Sequence, residues 1–363
     1  MIRLTRTIEH NLSINKSFVV KIVNKNINLI NENEAIFEDK DKFILVKTRY
    51  GNFSFENIDE TLSENEVLII FTDVNKCQRF FRPAATINTI LLTEECDQLC
   101  IMCSQPPKNK RYDHFELYYQ ASLLVPINST IGISGGEPTL LKNNLFQFLE
   151  KVIESRKDLR FHILTNCQHF LKEDINKLSY LSKNILWGIP LYSHLSDKHD
   201  QIVGKQGAFN KLMENFNFLI QSGSKVELRT VLMRQNYIDL PKLSELITTH
   251  LNWIEFWAIM QLENIGYARM NWDKIFFDNS VSFDNLGYAI NTVSAKRMNV
   301  LLYNFPLCTI PDFYRKFAVR SISDWKQRYL DKCNGCIEKE FCAGFFEWYN
   351  TEKGYSKIGI KNS

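Results

Sequence analysis

The sequence has no apolar run approaching the roughly 18 residues needed to span a bilayer. Its first residues, MIRLTRTIEHNLSINKSF, carry no apolar stretch of the secretory kind. It also has no long Lys/Arg block: 44 Lys and Arg against 41 Asp and Glu leave a net charge of only +3, spread along 363 residues. These absences argue against a membrane-spanning, a secreted and a nucleic-acid-binding protein. A cytoplasmic protein with no membrane and no nucleic-acid partner is expected. Repeats and low-complexity tracts are also missing. Cysteine, by contrast, is plentiful at nine residues. In a reducing compartment clustered cysteines are more often metal ligands than disulfides. Seven of the nine fall into two groups, Cys96/Cys100/Cys103 and Cys308/Cys333/Cys336/Cys342, while Cys77 and Cys167 stand alone.

Hydrophobic residues make up 45% of the chain, enough for a sizeable core. The length suits two or three domains, or one barrel with additions. Residues 1–83 read as a small β-rich N-terminal domain. SFVVKIV, FILVKT and EVLIIFT are β-branched and aromatic runs separated by Asn, Asp and Gly. From residue 84 strands and helices alternate. Strand-like runs lie at 86–92, 129–134, 160–165, 185–191, 225–232 and 253–260, with helical segments near 113–124, 143–156, 172–182, 207–221, 239–249 and 282–296. In the 143–156 segment Leu145, Phe148, Leu149, Val152 and Ile153 share one face, and Asn143 or Asn144 can cap it. Six such repeats predict an α/β fold, a partial (β/α)6 TIM-like barrel over 84–297. An open doubly wound sheet is the alternative. Either way the site belongs at the C-terminal strand ends. Residues 298–363 break the pattern and form a C-terminal extension. SISDWKQRYL within it reads as a short helix capped by Ser321 or Ser323.

CDQLCIMC follows the first strand and spaces its cysteines C-x3-C-x2-C. A structural zinc site wants four closed ligands. No fourth Cys or His follows nearby, and the next histidine is His114. Three thiolates and an open position also suit an iron–sulfur cluster with one iron free of protein ligands. On spacing alone both readings stand. ISGGEPTLL ends the second strand. Gly135 and Gly136 would let a ligand approach the backbone, Glu137 would offer an acceptor to an ammonium, and Pro138 would end the ladder. The plain alternative is an ordinary strand-to-helix turn.

Together, the C-x3-C-x2-C and GGEP motifs at successive strand ends resemble the radical S-adenosylmethionine (SAM) superfamily. The resemblance implies that Cys96, Cys100 and Cys103 hold a [4Fe–4S] cluster whose open iron chelates SAM. Residues Ser134, Gly135, Gly136, Glu137 and Pro138 would receive the SAM amino group. Reductive cleavage of SAM to methionine and a 5′-deoxyadenosyl radical would follow. ILTNC resembles the Thr-Asn-Gly of the third strand, which points to Thr165 and Asn166 and puts Cys167 where a Gly is usual. Ser193 is a further SAM contact by resemblance, although Pro190 stands where many relatives have Ser. His199 and Asp200 are expected to bond locally, and Glu263 to reach the mouth or solvent. No general acid or radical-quenching residue is assigned.

Cys308, then Cys333, Cys336 and Cys342 ahead of Gly344, form a closed four-thiolate set that suits zinc or a cluster. The arrangement resembles the extension of twitch/SPASM radical SAM enzymes, which implies an auxiliary [4Fe–4S] cluster and a large substrate. LTEECDQLCIMCSQPPK, YNFPLC, SISDWK and CAGFF further resemble the HxsC-type maturases of His-Xaa-Ser peptide systems, over residues 80–346. Implied partners are a precursor peptide, an electron donor such as flavodoxin or ferredoxin, and a second radical SAM maturase. A small-molecule or protein substrate, or a non-catalytic iron–sulfur or zinc partner protein, are the alternatives. The N-terminal domain is expected to add a substrate strand to a sheet edge, or to serve stability or dimerisation.

Overall fold

The computed structural model describes residues 4–24, 30–57 and 62–359. Its N-terminal part is one sheet of Thr5–Thr7 (β1), Glu9–His10 (β2), Phe18–Ile22 (β3), Glu34–Lys40 (β4), Phe43–Thr48 (β5), Gly51–Glu56 (β6), Val67–Phe71 (β7) and Lys76–Phe81 (β8). The strand order is β1-β8-β7-β3-β4-β5-β6-β2, with β3 and β4 parallel and the other pairs antiparallel. β1 and β2 are separated by Ile8 alone, yet they pair at opposite ends of that order. One nearly continuous strand thus closes the sheet into a small barrel, filled by Phe18, Val20, Ile22, Ile44, Val46 and Phe53. This corrects the expected open edge for a substrate strand, because the chain's own first strand occupies both ends of the sheet. The run VLIIF is apolar throughout because β7 is buried on both faces. Leu68 and Ile70 point into the barrel, while Val67, Ile69 and Phe71 pack outward on the first helix. Arg79 and Glu66 form a fully buried bidentate pair at 2.8 and 2.5 Å.

The central sheet is wholly parallel. Its strands are Thr89–Leu91 (β9), Thr130–Ser134 (β10), Arg160–Leu164 (β11), Ile185–Pro190 (β12), Lys225–Val231 (β13), Phe256–Met260 (β14), Val300–Tyr303 (β15) and Ala318–Val319 (β16), and they lie side by side in chain order. The helices are Phe115–Leu124 (α1), Lys142–Ser155 (α2), Ile175–Leu181 (α3), Ser196–Val203 (α4), Ala208–Gln221 (α5), Arg234–Tyr237 (α6), Leu240–His250 (α7), Gly266–Ile275 (α8) and Asp284–Ala295 (α9). A doubly wound sheet reverses its order at a switch point. This one does not, so right-handed crossovers keep α1, α2, α3, α5, α7 and α9 on one face. That face is dry: Phe161, Ile163, Trp187, Leu228, Trp257 and Ile259 are buried against α2, α5, α7 and α9. Alternate residues line the opposite, inner wall.

Two expectations need correction here. Eight strands are present where six were read, because NVLLY after α9 supplies β15 and Ala318–Val319 adds a short eighth. The α2 cap is neither Asn143 nor Asn144. The helix starts at Lys142 behind a 3-10 turn at Pro138–Leu141, whose own N-terminus is capped by the Glu137 side chain.

SISDWKQRYL is not helical. A 3-10 turn at Asp324–Lys326 leads into Gln327–Arg328 (β17), which pairs antiparallel with Phe345–Phe346 (β18). Ser323 makes no side-chain cap, and the Ser321 hydroxyl bonds Asn304 instead. The turn is a joint between three parts of the chain. Asp324 takes both Arg82 nitrogens, at 2.7 and 3.2 Å, at the exit of the N-terminal barrel. Two residues on, Lys326 bonds Glu263 at the end of the central sheet, at 3.2 Å. Asp324→Asn is expected to cost about 1 kcal/mol, because Arg82 is buried while Asp324 is partly solvated. A thermal-melt shift without loss of helix signal would register it.

Candidate active site

The cysteine loop leaves β9 and is held at three points by backbone packing. Gly136 lies so close to Glu95 that a Cβ there would stand 2.0 Å from the Glu95 carbonyl oxygen. Gly204, just past α4, adopts φ +66° and abuts the Leu99 carbonyl. Gly266, opening α8 at φ +57°, abuts the Cys103 and Ser104 carbonyls. A side chain at any of these points would expel the loop or strain the backbone. Hydrogen bonds complete the seat: Gly136 N–H to the Thr93 carbonyl, Glu137 N–H to Glu95, Leu99 N–H to Val203, Ile101 N–H to Ile202, and Tyr267 N–H to Cys103. Gly136 is therefore also required by the packing of the chain that enters the cysteine loop.

Glu137 is buried, and its carboxylate is already engaged. Oε1 accepts from Thr139 N–H (2.8 Å), the Thr139 hydroxyl (2.5 Å) and the Thr165 hydroxyl (2.7 Å), and Oε2 accepts from Asn166 N–H (2.5 Å). Burial pushes its pKa up, and these donors oppose that. The carboxylate thus ties the β10 loop to the β11 loop. Asn166 extends the tie, its side-chain amide donating to Asp97 in the cysteine loop at 2.7 Å. Asp97 also pairs with Lys205 and, at 3.3 Å, with His169. Burial works against its ionisation, but His169, Lys205 and Asn166 outweigh it and hold the carboxyl well below the usual range. Sequence reasoning passed over Asp97. The signal was an acid between two cysteines of a metal-type motif, which needs a partner once buried.

The remaining expected residues fall as follows. Ser134 ends β10 on the inner wall, beside Leu91. Cys167 has φ +58°, the left-handed conformation for which Gly is the usual residue, and its thiol is buried. Ser193 is fully buried, its hydroxyl accepting from Leu195 N–H at 3.0 Å. His199 and Asp200 bond locally as expected. His199 Nδ1 accepts from Tyr192 N–H, and burial pushes its pKa down to about 4. Asp200 accepts from Gly207 and Phe209 N–H at the start of α5. Glu263 reaches the mouth but is largely buried on Lys326.

In the triad, burial pushes the Cys96 thiol up to about 12 and raises Cys100 and Cys103 as well. The sulfurs also disfavour one another's ionisation, Cys103 and Cys96 acting on Cys100. In the C-terminal group burial pushes Cys308 up to about 12, with Cys342 and Cys333 adding to it, and burial raises Cys342 as well. Cys342 Sγ additionally accepts Leu307 and Gly344 N–H, both at 3.3 Å. Both groups press against one apolar body that includes Met102, Tyr192, Trp272, Phe276, Tyr349 and Tyr355. Among the described residues no three His, Cys, Asp or Glu side chains stand close enough to hold one ion, so neither group is a preformed mononuclear site. Three thiols on one loop and four on the C-terminal turns fit the donor sets of iron–sulfur clusters, in which each thiolate takes its own iron. Among the described residues no helix is long and apolar enough to cross a membrane.

The comparisons with known proteins agree with this geometry. Residues 90–247 match the family model of the Radical SAM superfamily. The matched segment carries the triad, the GGEP loop and the strand ends. Its fold is similar to that of Streptococcus suis SuiB bound to S-adenosylmethionine, at 19% identity and a TM-score of 0.50, covering 62% of this chain and 54% of SuiB. SuiB bound to the precursor peptide SuiA is also similar, at 20% identity and a TM-score of 0.47 over 59% of this chain and 47% of that one. Among curated proteins, Fe-coproporphyrin III synthase of Methanosarcina barkeri (strain Fusaro / DSM 804) is 25% identical over 162 residues. That match covers 43% of this chain and 39% of the synthase, so the chain spans well under two thirds of the relatives it matches.

Proposed function

We propose that this chain is a radical SAM enzyme that modifies a ribosomally made precursor peptide. The observation that carries the first part is the seating of the three-cysteine loop on Gly136, Gly204 and Gly266 beside the GGEP loop, at the C-terminal ends of a parallel sheet. Cys96, Cys100 and Cys103 would hold one [4Fe–4S] cluster, and Cys308, Cys333, Cys336 and Cys342 an auxiliary one. When bound, the first cluster and SAM would supply a 5′-deoxyadenosyl radical on reduction. The chain's own part is positional. Glu137, Thr165, Asn166 and Asp97 lock three strand-end loops together, so that residues 134–138 and the cysteine loop keep one geometry. Ser134, Gly135, Pro138 and Ser193 would border the cofactor. The apolar body between the cysteine groups would keep water out.

The peptide substrate, with His-Xaa-Ser repeats, is supported by the resemblance of LTEECDQLCIMCSQPPK, YNFPLC and SISDWK to those maturases. We also propose the division into 1–83, 84–297 and 298–363, with a flavodoxin- or ferredoxin-type donor and a second maturase as partners. Anaerobic reconstitution with iron and sulfide, then SAM and dithionite, tests the activity. 5′-Deoxyadenosine is expected, and its absence from a well-loaded protein overturns the reading. Mass spectrometry of a co-expressed His-Xaa-Ser peptide separates a peptide substrate from a small molecule.

A further inference from the structure

The inner wall of the central sheet is mostly apolar, lined by Leu164, Leu186, Val231, Ala258 and Met260, and these are not all sealed from solvent. Arg160 and Lys225 stand exposed at the strand starts of this wall. Deeper along it, β11 and β13 place His162, Glu227 and Arg229 in one cluster across β12. Glu227 has no exposed side-chain surface. Its Oε1 accepts from Arg229 Nη1 at 2.8 Å, and its Oε2 stands in ion-pair contact with His162 Nε2 at 2.5 Å, neither of these last two atoms meeting hydrogen-bond geometry with any partner. His162 and Glu227 sit on β11 and β13, with β12 between them. The bridge passes over Gly188, where a Cβ would lie 3.1 Å from His162 Nε2 and 3.2 Å from Arg229 Cδ. Glycine in mid-strand weakens a sheet and marks a close approach. Here it is what lets the imidazole cross a strand to reach the carboxylate.

A buried ion cluster is a poor stabiliser, because apolar residues of equal volume commonly do as well or better. A charged trio on an apolar wall that is partly open to solvent therefore calls for another role. Arg229 keeps the Glu227 carboxylate ionised against the pull of burial. A 2.5 Å approach of the ionised carboxylate favours a proton on His162 Nε2, which in the neutral ring puts the lone pair on Nδ1. Nε2 is buried while the side chain as a whole is 29% exposed, so Nδ1 is the nitrogen that faces the hollow. Tyr303, at the end of β15, is the other titratable group facing this trio from the wall. We propose that His162, oriented by Glu227, is the proton-transfer group of the hollow. Its Nδ1 accepts a proton from a substrate X–H bond: an N–H bond forms, the electron pair stays on X, and Glu227 offsets the imidazolium charge. The same atom returns the proton in the reverse sense. The role of Glu227 and Arg229 is positional. This reading rests on the proposed modification of a peptide in the barrel.

Two measurements test it, and the first needs no activity. In protein labelled with 15N-histidine, the His162 resonances, assigned by their loss in His162→Gln, are read at about pH 9, where a free imidazole is neutral. The Nε2–H tautomer is expected in the wild type, and Nδ1–H overturns the proposal. The second uses the reconstituted holoenzyme and a synthetic peptide of His-Xaa-Ser units. His162→Gln is expected to lower modified peptide per 5′-deoxyadenosine by about 10²-fold, the usual size of a general acid–base contribution. Glu227→Gln should lower it less, and Glu227→Asp should partly restore it. An unchanged ratio in a His162→Gln protein that melts like the wild type overturns the proposal. A wild type that forms no 5′-deoxyadenosine sinks the proposed function instead, and the tautomer still decides this one.

Discussion

Cys100→Ala protein, loaded anaerobically with iron and sulfide, is expected to hold about four irons per chain instead of about eight, and to form no 5′-deoxyadenosine from SAM. The loss should be specific because the loop does not depend on the thiol for its shape. Its course is set by Leu99 and Ile101 N–H on the Val203 and Ile202 carbonyls, by Tyr267 N–H on Cys103, and by the Asn271 amide on Ile101. An alanine at 100 leaves all of these in place, so the melting temperature of the metal-free protein should barely move. Two thiolates, however, cannot hold a cluster whose remaining iron must stay open. The C-terminal four sit in a different set of turns, and Cys342 keeps its two amide donors. Their cluster should load as before, visible as the residual iron and its absorbance. SAM cleavage by this variant would show that the triad is not the catalytic metal site. Loss of all iron would show that the two groups assemble as a unit through the apolar body they share.

Much of this was legible in the residues. Six of the eight central strands and six of the nine helices followed from runs such as RFHILT and from the face Leu145–Ile153, while α4, α6 and α8 did not. The motifs fell at strand ends because the parallel sheet puts loops of like polarity together. Other features depend on tertiary partners that a local pattern does not encode. NVLLY is too short to stand out once a cysteine nearby suggests a new module, yet it finds an open edge beside Met260. SISDWK has a helix-like sequence, but Asp324 and Lys326 are drawn to opposite partners, Arg82 and Glu263, and the chain stays extended between turns. Closure of the N-terminal barrel hangs on a change of partner at Ile8, where nothing in the sequence marks a kink. His162, Glu227 and Arg229 left a fainter trace: charges at period two in strands that otherwise read as core.

The same dependence on partners alters what Glu137 predicts. An acceptor waiting for SAM's ammonium could be removed with little cost to the fold. A carboxylate that satisfies two backbone N–H groups and two hydroxyls cannot. Glu137→Ala strands the N–H groups of Thr139 and Asn166 and the hydroxyls of Thr139 and Thr165 in a site with almost no access to water. The expected loss is about 3–5 kcal/mol, at the upper end for one substitution. Glu137→Gln keeps one acceptor but turns an NH2 towards Asn166 N–H or the hydroxyls, at a cost of about 1–3 kcal/mol. Both should be seen in urea titrations of the metal-free protein, before any cofactor is added. SAM binding to the loaded variants should weaken as well, because the β10 and β11 loops and Asp97 move with the carboxylate. The order of the two effects is the test. Weakened SAM binding with unchanged urea stability would return Glu137 to the role of direct acceptor. A stability loss in the metal-free protein makes it the knot that holds the cysteine loop and the GGEP loop in register.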